Sequence, residues 1–173
     1  GDDYMKGIQL WNIFKCCWEL RGFERFMLDM AMEPELVEVM ADKFLVHHIE
    51  ESKQLVRRGV NMIFVLGDIA MQDAMMFSPK MWRDIFKPRL KTWIDEVKAE
   101  KDDTYFMFHS DGNNIAVFDD LIEIGFHAVD PVQPECLDVE KVKDEFGDRV
   151  CIHGTMSLQE TLPFGTVDDV INE

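Results

Sequence analysis

Long hydrophobic runs are missing from this sequence. No stretch approaches the roughly 20 apolar residues that a membrane-spanning helix requires. Residues 1–4 also lack the basic and apolar regions of a signal peptide. These absences predict a cytoplasmic protein that neither spans a membrane nor carries a secretory leader.

Positive charge is scarce as well. The 18 lysines and arginines stand against 34 aspartates and glutamates, which gives a formal net charge of −16. A surplus of this sign repels phosphate backbones and anionic lipid surfaces. We therefore expect neither nucleic acid nor membranes among the partners of this protein.

Cysteine is sparse and irregularly spaced. Cys16, Cys17, Cys136 and Cys151 form no C-x-x-C motif and do not reach the density of a disulfide scaffold. We expect reduced thiols. The adjacent Cys16 and Cys17 are predicted to be buried small apolar residues rather than nucleophiles.

The sequence does contain repeated short apolar segments, each followed by helical periodicity. Its 173 residues, of which 47% are hydrophobic, match the size of one domain with a real core. The apolar run at residues 60–66 is nearly continuous, which is typical of a strand buried on both faces of a parallel sheet. A helix is predicted over residues 18–30, and five strands are predicted near residues 8–14, 60–66, 104–109, 127–130 and 150–153.

Successive strand–helix units predict an α/β fold with a parallel sheet. A (β/α)8 TIM barrel usually takes about 250 residues. Five units therefore predict an incomplete barrel, and residues 1–173 are assigned to a single domain from the middle to late part of such a barrel.

Polar residues follow each predicted strand, where parallel α/β folds bind their ligands. Alternation along the third strand sends His109 and Asp111 to the same side, so this pair can bind a metal, move a proton or orient a substrate. The structural alternatives are that Asp68 caps a loop, that Asp130 makes a turn with Pro131 and that His153 is a buried core residue. The strand-end set is Lys15, Asp68, His109 with Asp111, Asp130, and His153.

Several motifs together resemble the uroporphyrinogen decarboxylase superfamily, which contains that decarboxylase and the corrinoid-dependent methyltransferases that act on methylcobalamin. The resemblance covers nearly the whole chain and depends on the order and spacing of the motifs. They are Leu20-Arg-Gly-Phe-Glu-Arg-Phe26 before Asp29 and Pro34, Gly67-Asp68 before Gln72, Ser78-Pro79 and Lys87-Pro88, His109-Ser-Asp-Gly-Asn113, and His153-Gly154 running to Leu162-Pro163-x-Gly165-Thr166.

The resemblance implies a TIM barrel with its cleft at the carboxyl ends of the strands. It also implies that the family's first strands would precede Gly1 and that its last strand would follow Glu173. That last strand carries a Cys zinc ligand in the methyltransferases and a substrate-contacting His in the decarboxylases. We expect the third metal ligand there, and we expect the chain to be inactive alone because its cleft would lack several walls.

Methyl transfer is the preferred hypothesis. The methyltransferases bind zinc through an H-x-C pair at the position of His109-Ser110-Asp111, and an Asp oxygen is an acceptable replacement ligand. The resemblance thus implies zinc held by His109 and Asp111. The methyl group would move between a corrinoid (methylcobalamin, free or on a partner protein) and a thiol or pterin acceptor. Catalytic roles are expected for Asp68, Asp111 and His153, and substrate contacts for Asp68, Asp130 and Phe23.

Two alternatives stay open. The first is uroporphyrinogen decarboxylation in porphyrin synthesis without a metal or other cofactor, with Asp111 and Asp68 contacting pyrrole N–H groups. Phe23 stands where the decarboxylases carry a cleft Tyr, and their substrate carries eight carboxylates, so this sequence fits decarboxylation less well. The second is a non-catalytic barrel that binds a corrinoid protein. A homodimer is compatible with each hypothesis.

Overall fold

The computed structural model describes residues 4–173, so residues 1–3, on which the signal-peptide prediction partly depends, lie outside it. Five strands form one parallel sheet in the order β1-β2-β3-β4-β5. The strands are β1 (Gly7–Trp11), β2 (Met62–Leu66), β3 (Tyr105–His109), β4 (Ala128–Asp130) and β5 (Cys151–Ile152).

Helices follow every strand. They are α1 (Ile13–Arg21), α2 (Phe23–Met32), α3 (Pro34–Arg57), α4 (Pro79–Met81), α5 (Lys87–Glu100), α6 (Phe118–Ile124), α7 (Val139–Phe146), α8 (Thr161–Phe164) and α9 (Val167–Asn172), with a π-helical turn over Trp82–Phe86 and a 3-10 turn over Ile115–Val117. Within residues 4–173, no helix is long and apolar enough to cross a membrane. Sequential parallel strands joined by helices confirm the predicted α/β class and are consistent with a partial TIM barrel.

The first strand ends earlier than predicted. Asn12 caps α1, because its side-chain oxygen accepts a hydrogen bond from the Lys15 N–H at 2.7 Å. The apolar run is therefore divided, with Ile13 and Phe14 buried in the helix instead of continuing the strand. Lys15, predicted to follow the strand directly, lies in the first turn of α1.

The single helix predicted over residues 18–30 is also wrong, because the structure has two helices there. Gly22 separates α1 from α2 with φ of 85°, a left-handed conformation that glycine adopts without a steric penalty. Side-chain caps start two later helices. Ser78 and Asp138 cap α4 and α7, since their side chains accept hydrogen bonds from backbone N–H groups three residues on.

Burial of the sheet is one-sided, which corrects the expectation that β2 is buried on both faces. Ile63 and Val65 are fully buried, whereas Met62, Phe64 and Leu66 on the other face are only half-buried. In a barrel the crossover helices pack on the outer face of the strands. Among the described residues, the face that carries Leu66 and His109 stays accessible to a ligand.

The outer layer is built around α3 and α5, which pack against each other. Trp93 of α5 is fully buried, and its indole N–H donates to Ser52 of α3 at 2.9 Å. The His48 ring stacks on Trp93 with ring centroids 4.5 Å apart. Burial lowers the pKa of His48 to about 4, so this histidine is neutral at physiological pH.

We predict that His48 makes the fold acid-sensitive. Because its folded-state pKa of about 4 lies below the ordinary 6.5, the unfolded chain alone binds this proton as the pH falls between those values. The stabilisation is complete above pH 6.5 and is lost toward pH 4, by up to about 3 kcal/mol. Urea denaturation at pH 6.5 and at pH 4 measures this loss of unfolding free energy. The loss between the two pH values should be smaller for His48→Phe than for the parent.

The matched control is His47→Gln, which changes the exposed neighbouring histidine. It should retain most of the parent's pH dependence. An unchanged pH dependence in His48→Phe would show that His48 is not the group responsible.

Candidate functional site

The register of the sheet aligns the strand ends. Leu66 pairs with His109, and His109 pairs with Asp130. The pairing of Val129 with Ile152 then places His153 beside Asp130. Because parallel strands run in the same direction, the residues after them gather at one rim of the sheet.

Asp130 joins two histidines at this rim. The Nδ1 atom of His109 donates to Asp130 Oδ2 at 2.6 Å, and Nδ1 of His153 donates to Asp130 Oδ1 at 2.5 Å. Burial opposes ionisation of Asp130, but these two hydrogen bonds outweigh it and lower its pKa. The hydrogen bond to Asp130 also raises the pKa of His109.

Two carboxylates converge on the other side of the His109 ring. His109 Nε2 lies 4.0 Å from Asp68 Oδ1 and 4.0 Å from Asp111 Oδ1. Asp68, His109 and Asp111 can each offer one ligand atom, and these ligand atoms lie within 4.8 Å of one another. The loops that follow β2 and β3 are joined there, because Asp68 Oδ1 accepts a hydrogen bond from the Asp111 backbone N–H at 2.9 Å. Asp68 thus does fasten a loop, while it also faces His109.

Asp111 is electrostatically unsatisfied. Its Oδ1 atom is buried and has no hydrogen-bond partner among the described residues. Burial, with the nearby Asp68 carboxylate, raises the pKa of Asp111. An unpartnered buried carboxylate oxygen costs free energy that a bound cation would offset.

These donors fit a zinc ion. Zinc takes His nitrogen and carboxylate oxygen at about 2.0–2.2 Å, so neighbouring ligand atoms of a tetrahedral site lie about 3.4 Å apart. The 4.0 Å separations require only a small contraction around His109. A carboxylate on the remote imidazole nitrogen, as Asp130 provides here, is the usual support of a metal-bound histidine.

A pocket of about 150 Å³ opens next to these groups. Phe23, predicted to contact substrate, is one of its walls, together with Asp68 and His109. Its remaining lining residues are Trp11, Lys15, Trp18, Leu66, Gly67 and Met76.

Gly67 allows α1 to approach the end of β2. A Cβ atom at this position would lie 2.8 Å from Lys15 Cβ and 2.9 Å from the Asn12 side-chain nitrogen. The Asn12 amide also donates to the Gly67 carbonyl. The pocket therefore depends on the absence of a side chain between Asp68 and the first turn of α1.

The structure brings together every residue that the sequence singled out for the site. Asp68, His109, Asp111 and Asp130 lie at one rim, and their chemical roles stay predictions. His153 is 62% exposed, so the alternative that it is a buried core residue is wrong. Sequence reasoning missed the aromatic walls from Trp11 and Trp18, although Trp11 ends its strand and could have been found from the strand-end rule with a correct boundary.

The prediction that the adjacent cysteines are buried is confirmed for Cys17, whereas Cys16 is only half-buried. Cys17 is fully buried, and burial raises the pKa of Cys16 to about 11 and that of Cys17 to about 12. Since the thiolate is the nucleophilic form, neither residue is suited to nucleophilic catalysis near neutral pH.

Comparison with known proteins identifies the family. The sequence profile described as "Uroporphyrinogen decarboxylase (URO-D)" matches residues 16–173. The chain belongs to the uroporphyrinogen decarboxylase family. This confirms the resemblance seen in the motifs. No curated protein sequence matches the chain.

A solved structure agrees with the fold of the uroporphyrinogen decarboxylase family. The "methyltransferase from Methanosarcina mazei" is similar with a TM-score of 0.80 and 23% sequence identity. The similarity covers 97% of this chain and 48% of that one, so the chain spans about half the length of that protein. At 23% identity this similarity supports the fold and nothing beyond it.

We predict that Gly67→Ala damages the site more than its backbone conformation alone would. Gly67 has φ of 141° and Gly22 has φ of 85°, so alanine at either position is strained by the order of 1–3 kcal/mol. Only at Gly67 does the added Cβ also collide with neighbours, since it meets nothing within 4 Å at Gly22. Urea denaturation should show the larger loss of unfolding free energy for Gly67→Ala. Equal losses would mean that α1 moves aside freely.

Proposed function

We propose that this protein is a metal-assisted methyltransferase that moves a methyl group between a corrinoid and a thiol or pterin acceptor. The observation that carries the proposal is the convergence of Asp68, His109 and Asp111 within 4.8 Å. Membership of a family that includes methyltransferases supports it. A cytoplasmic location remains part of the same proposal.

Each residue has a distinct task under this proposal. His109 offers Nε2 to the metal because its Nδ1–H is held by Asp130. Asp111 offers the buried Oδ1 that has no other partner among residues 4–173. Asp68 supplies a second oxygen, the third ligand of the set, and holds the Asp111 backbone in place. Zinc bound there would lower the pKa of a substrate thiol, so that the thiolate form is available near neutral pH.

His153 has a proton-handling role in this proposal. It is exposed, and its Nδ1 is held by Asp130, so its ring is oriented at the rim where a substrate can reach it. Asp130 orients both histidines, and Phe23 supplies an apolar wall for the substrate.

The methyl donor is proposed to be methylcobalamin, either free or carried by a corrinoid protein. Two of the pocket's lining residues, Trp11 and Phe23, are exposed apolar side chains. Exposed apolar residues of this kind support docking of a carrier protein. The chain's charge is opposed to nucleic acid and anionic membranes as competing partners.

Zinc binding is the direct test. Isothermal titration of metal-stripped protein should show about one zinc per chain. His109→Ala and Asp111→Asn should each weaken binding at least a hundredfold because they remove a ligand, and Asp130→Asn should weaken it about 10–100-fold because it removes the support of His109.

His47→Ala is the matched control, because it removes an exposed histidine on α3 outside the rim. It should bind zinc like the parent. If the parent binds no zinc, or if His109→Ala binds it equally well, the metal-assisted proposal fails.

Uroporphyrinogen decarboxylation is the second candidate. The observation in its favour is that the carboxylates of Asp68 and Asp111, 44% and 46% exposed, are available to accept pyrrole N–H groups. Against it, Lys15 is the one lysine or arginine among the described residues that line the pocket. An octacarboxylate needs far more positive charge than this.

We expect no micromolar binding of uroporphyrin to the metal-free protein, because the carboxylates of the rim repel the polyanion. Fluorescence titration measures this directly. Micromolar binding that disappears in Asp68→Asn would favour the decarboxylase over the methyltransferase.

A further inference from the structure

Lys15 is an unusual group for this position. It is a cation on the wall of a pocket whose floor carries Asp68, in a protein with a net charge of −16. Its side chain is only 20% exposed. The metal chemistry proposed above does not use it, so its placement calls for a separate explanation.

The ammonium group is fixed by its surroundings. Lys15 Nζ lies 3.8 Å from the centroid of the Trp18 ring and 5.2 Å from that of Trp11. Both contacts are cation–π interactions. Glu19, one turn along α1 and mostly solvent-exposed, accepts from Nζ at 2.8 Å. An ammonium has three N–H donors, so this arrangement leaves donor capacity for a ligand in the pocket.

The rest of the pocket wall is aromatic. Trp18 and Phe23 meet edge to face with centroids 5.6 Å apart, and Trp11 and Met76 add further apolar surface. Such walls favour a flat apolar ligand over a polar one. The volume of about 150 Å³ accommodates about one six-membered ring, since an apolar cavity of this size holds benzene.

We propose that Lys15 recognises the anionic group of a small aromatic acid, whose ring lies against the wall formed by Trp11, Trp18 and Phe23 and whose far end points toward Asp68 and His109. Only the last part of this statement depends on the proposed function, because it requires the far end of the ring to carry the thiol that exchanges the methyl group with the corrinoid. Recognition by Lys15 itself does not require a metal.

Benzoate is the probe, with benzyl alcohol as the neutral analogue of equal size and acetate as the anion without a ring. Binding is followed by tryptophan fluorescence, to which Trp11 and Trp18 report from the pocket while Trp82 and Trp93 are buried elsewhere. We expect benzoate to bind the parent at least tenfold more tightly than either analogue. Lys15→Met should lose this preference, because it keeps the apolar stem but removes the charge, and Lys15→Arg should retain it.

Lys53→Met is the matched control. The Lys53 side chain is also 20% exposed and is also paired with a glutamate, Glu96, but it lies on α3 away from the pocket. It should bind benzoate like the parent. Circular dichroism and thermal denaturation of each variant identify any general loss of fold.

Asp111→Asn separates this inference from the metal-assisted proposal. It should lose zinc and still bind benzoate. Benzoate binding without zinc binding would support the Lys15 pocket while the metal proposal failed. No benzoate binding by the parent, equal binding by Lys15→Met, or loss of benzoate in Asp111→Asn would overturn the role of Lys15.

Discussion

The parallel pairing of β2, β3 and β4 is the constraint on which the site depends. Leu66, His109 and Asp130 stand in one row across three strands. A slip of one residue in either strand pair would put His109 and its neighbour in that row on opposite faces of the sheet, because side chains alternate along a strand. The apolar residues Phe106 and Phe108, which are fully buried between His109 and the start of β3, hold that register by their own packing.

The charge balance at the rim follows from this geometry. Asp68, Asp111 and Asp130 are placed close together, and two imidazoles face them. Asp130 receives both hydrogen bonds and is stabilised as a carboxylate, whereas Asp111 receives none on its buried oxygen. Two of these acids consequently differ, because the pKa of Asp130 is lowered and that of Asp111 is raised. Acids whose pKa values are shifted in opposite directions are common where a site binds a cation or moves protons.

The sequence predicted the strands, the α/β class and the strand-end residues because each depends on local patterns. Residues 60–66 predict a strand, and Gly67-Asp68 marks its end. Both predictions are independent of the rest of the fold. The sharing of Asp130 between His109 and His153 could not be predicted, because it depends on which strands become neighbours. The break at Gly22 and the cap at Asn12 were missed because the flanking residues are apolar and continue either a strand or a helix equally well.

Asp130 has one consequence for how this rim can change. Each of its two oxygens accepts a hydrogen bond from a different histidine. His109 and His153 are therefore coupled through a single carboxylate, although they share no hydrogen bond. Replacing one histidine leaves an oxygen of Asp130 unpaired and alters the charge felt by the other ring. The free-energy changes caused by substitutions at the two positions should therefore not be additive. Replacement of one histidine during evolution would favour a compensating change at Asp130 or at the other histidine.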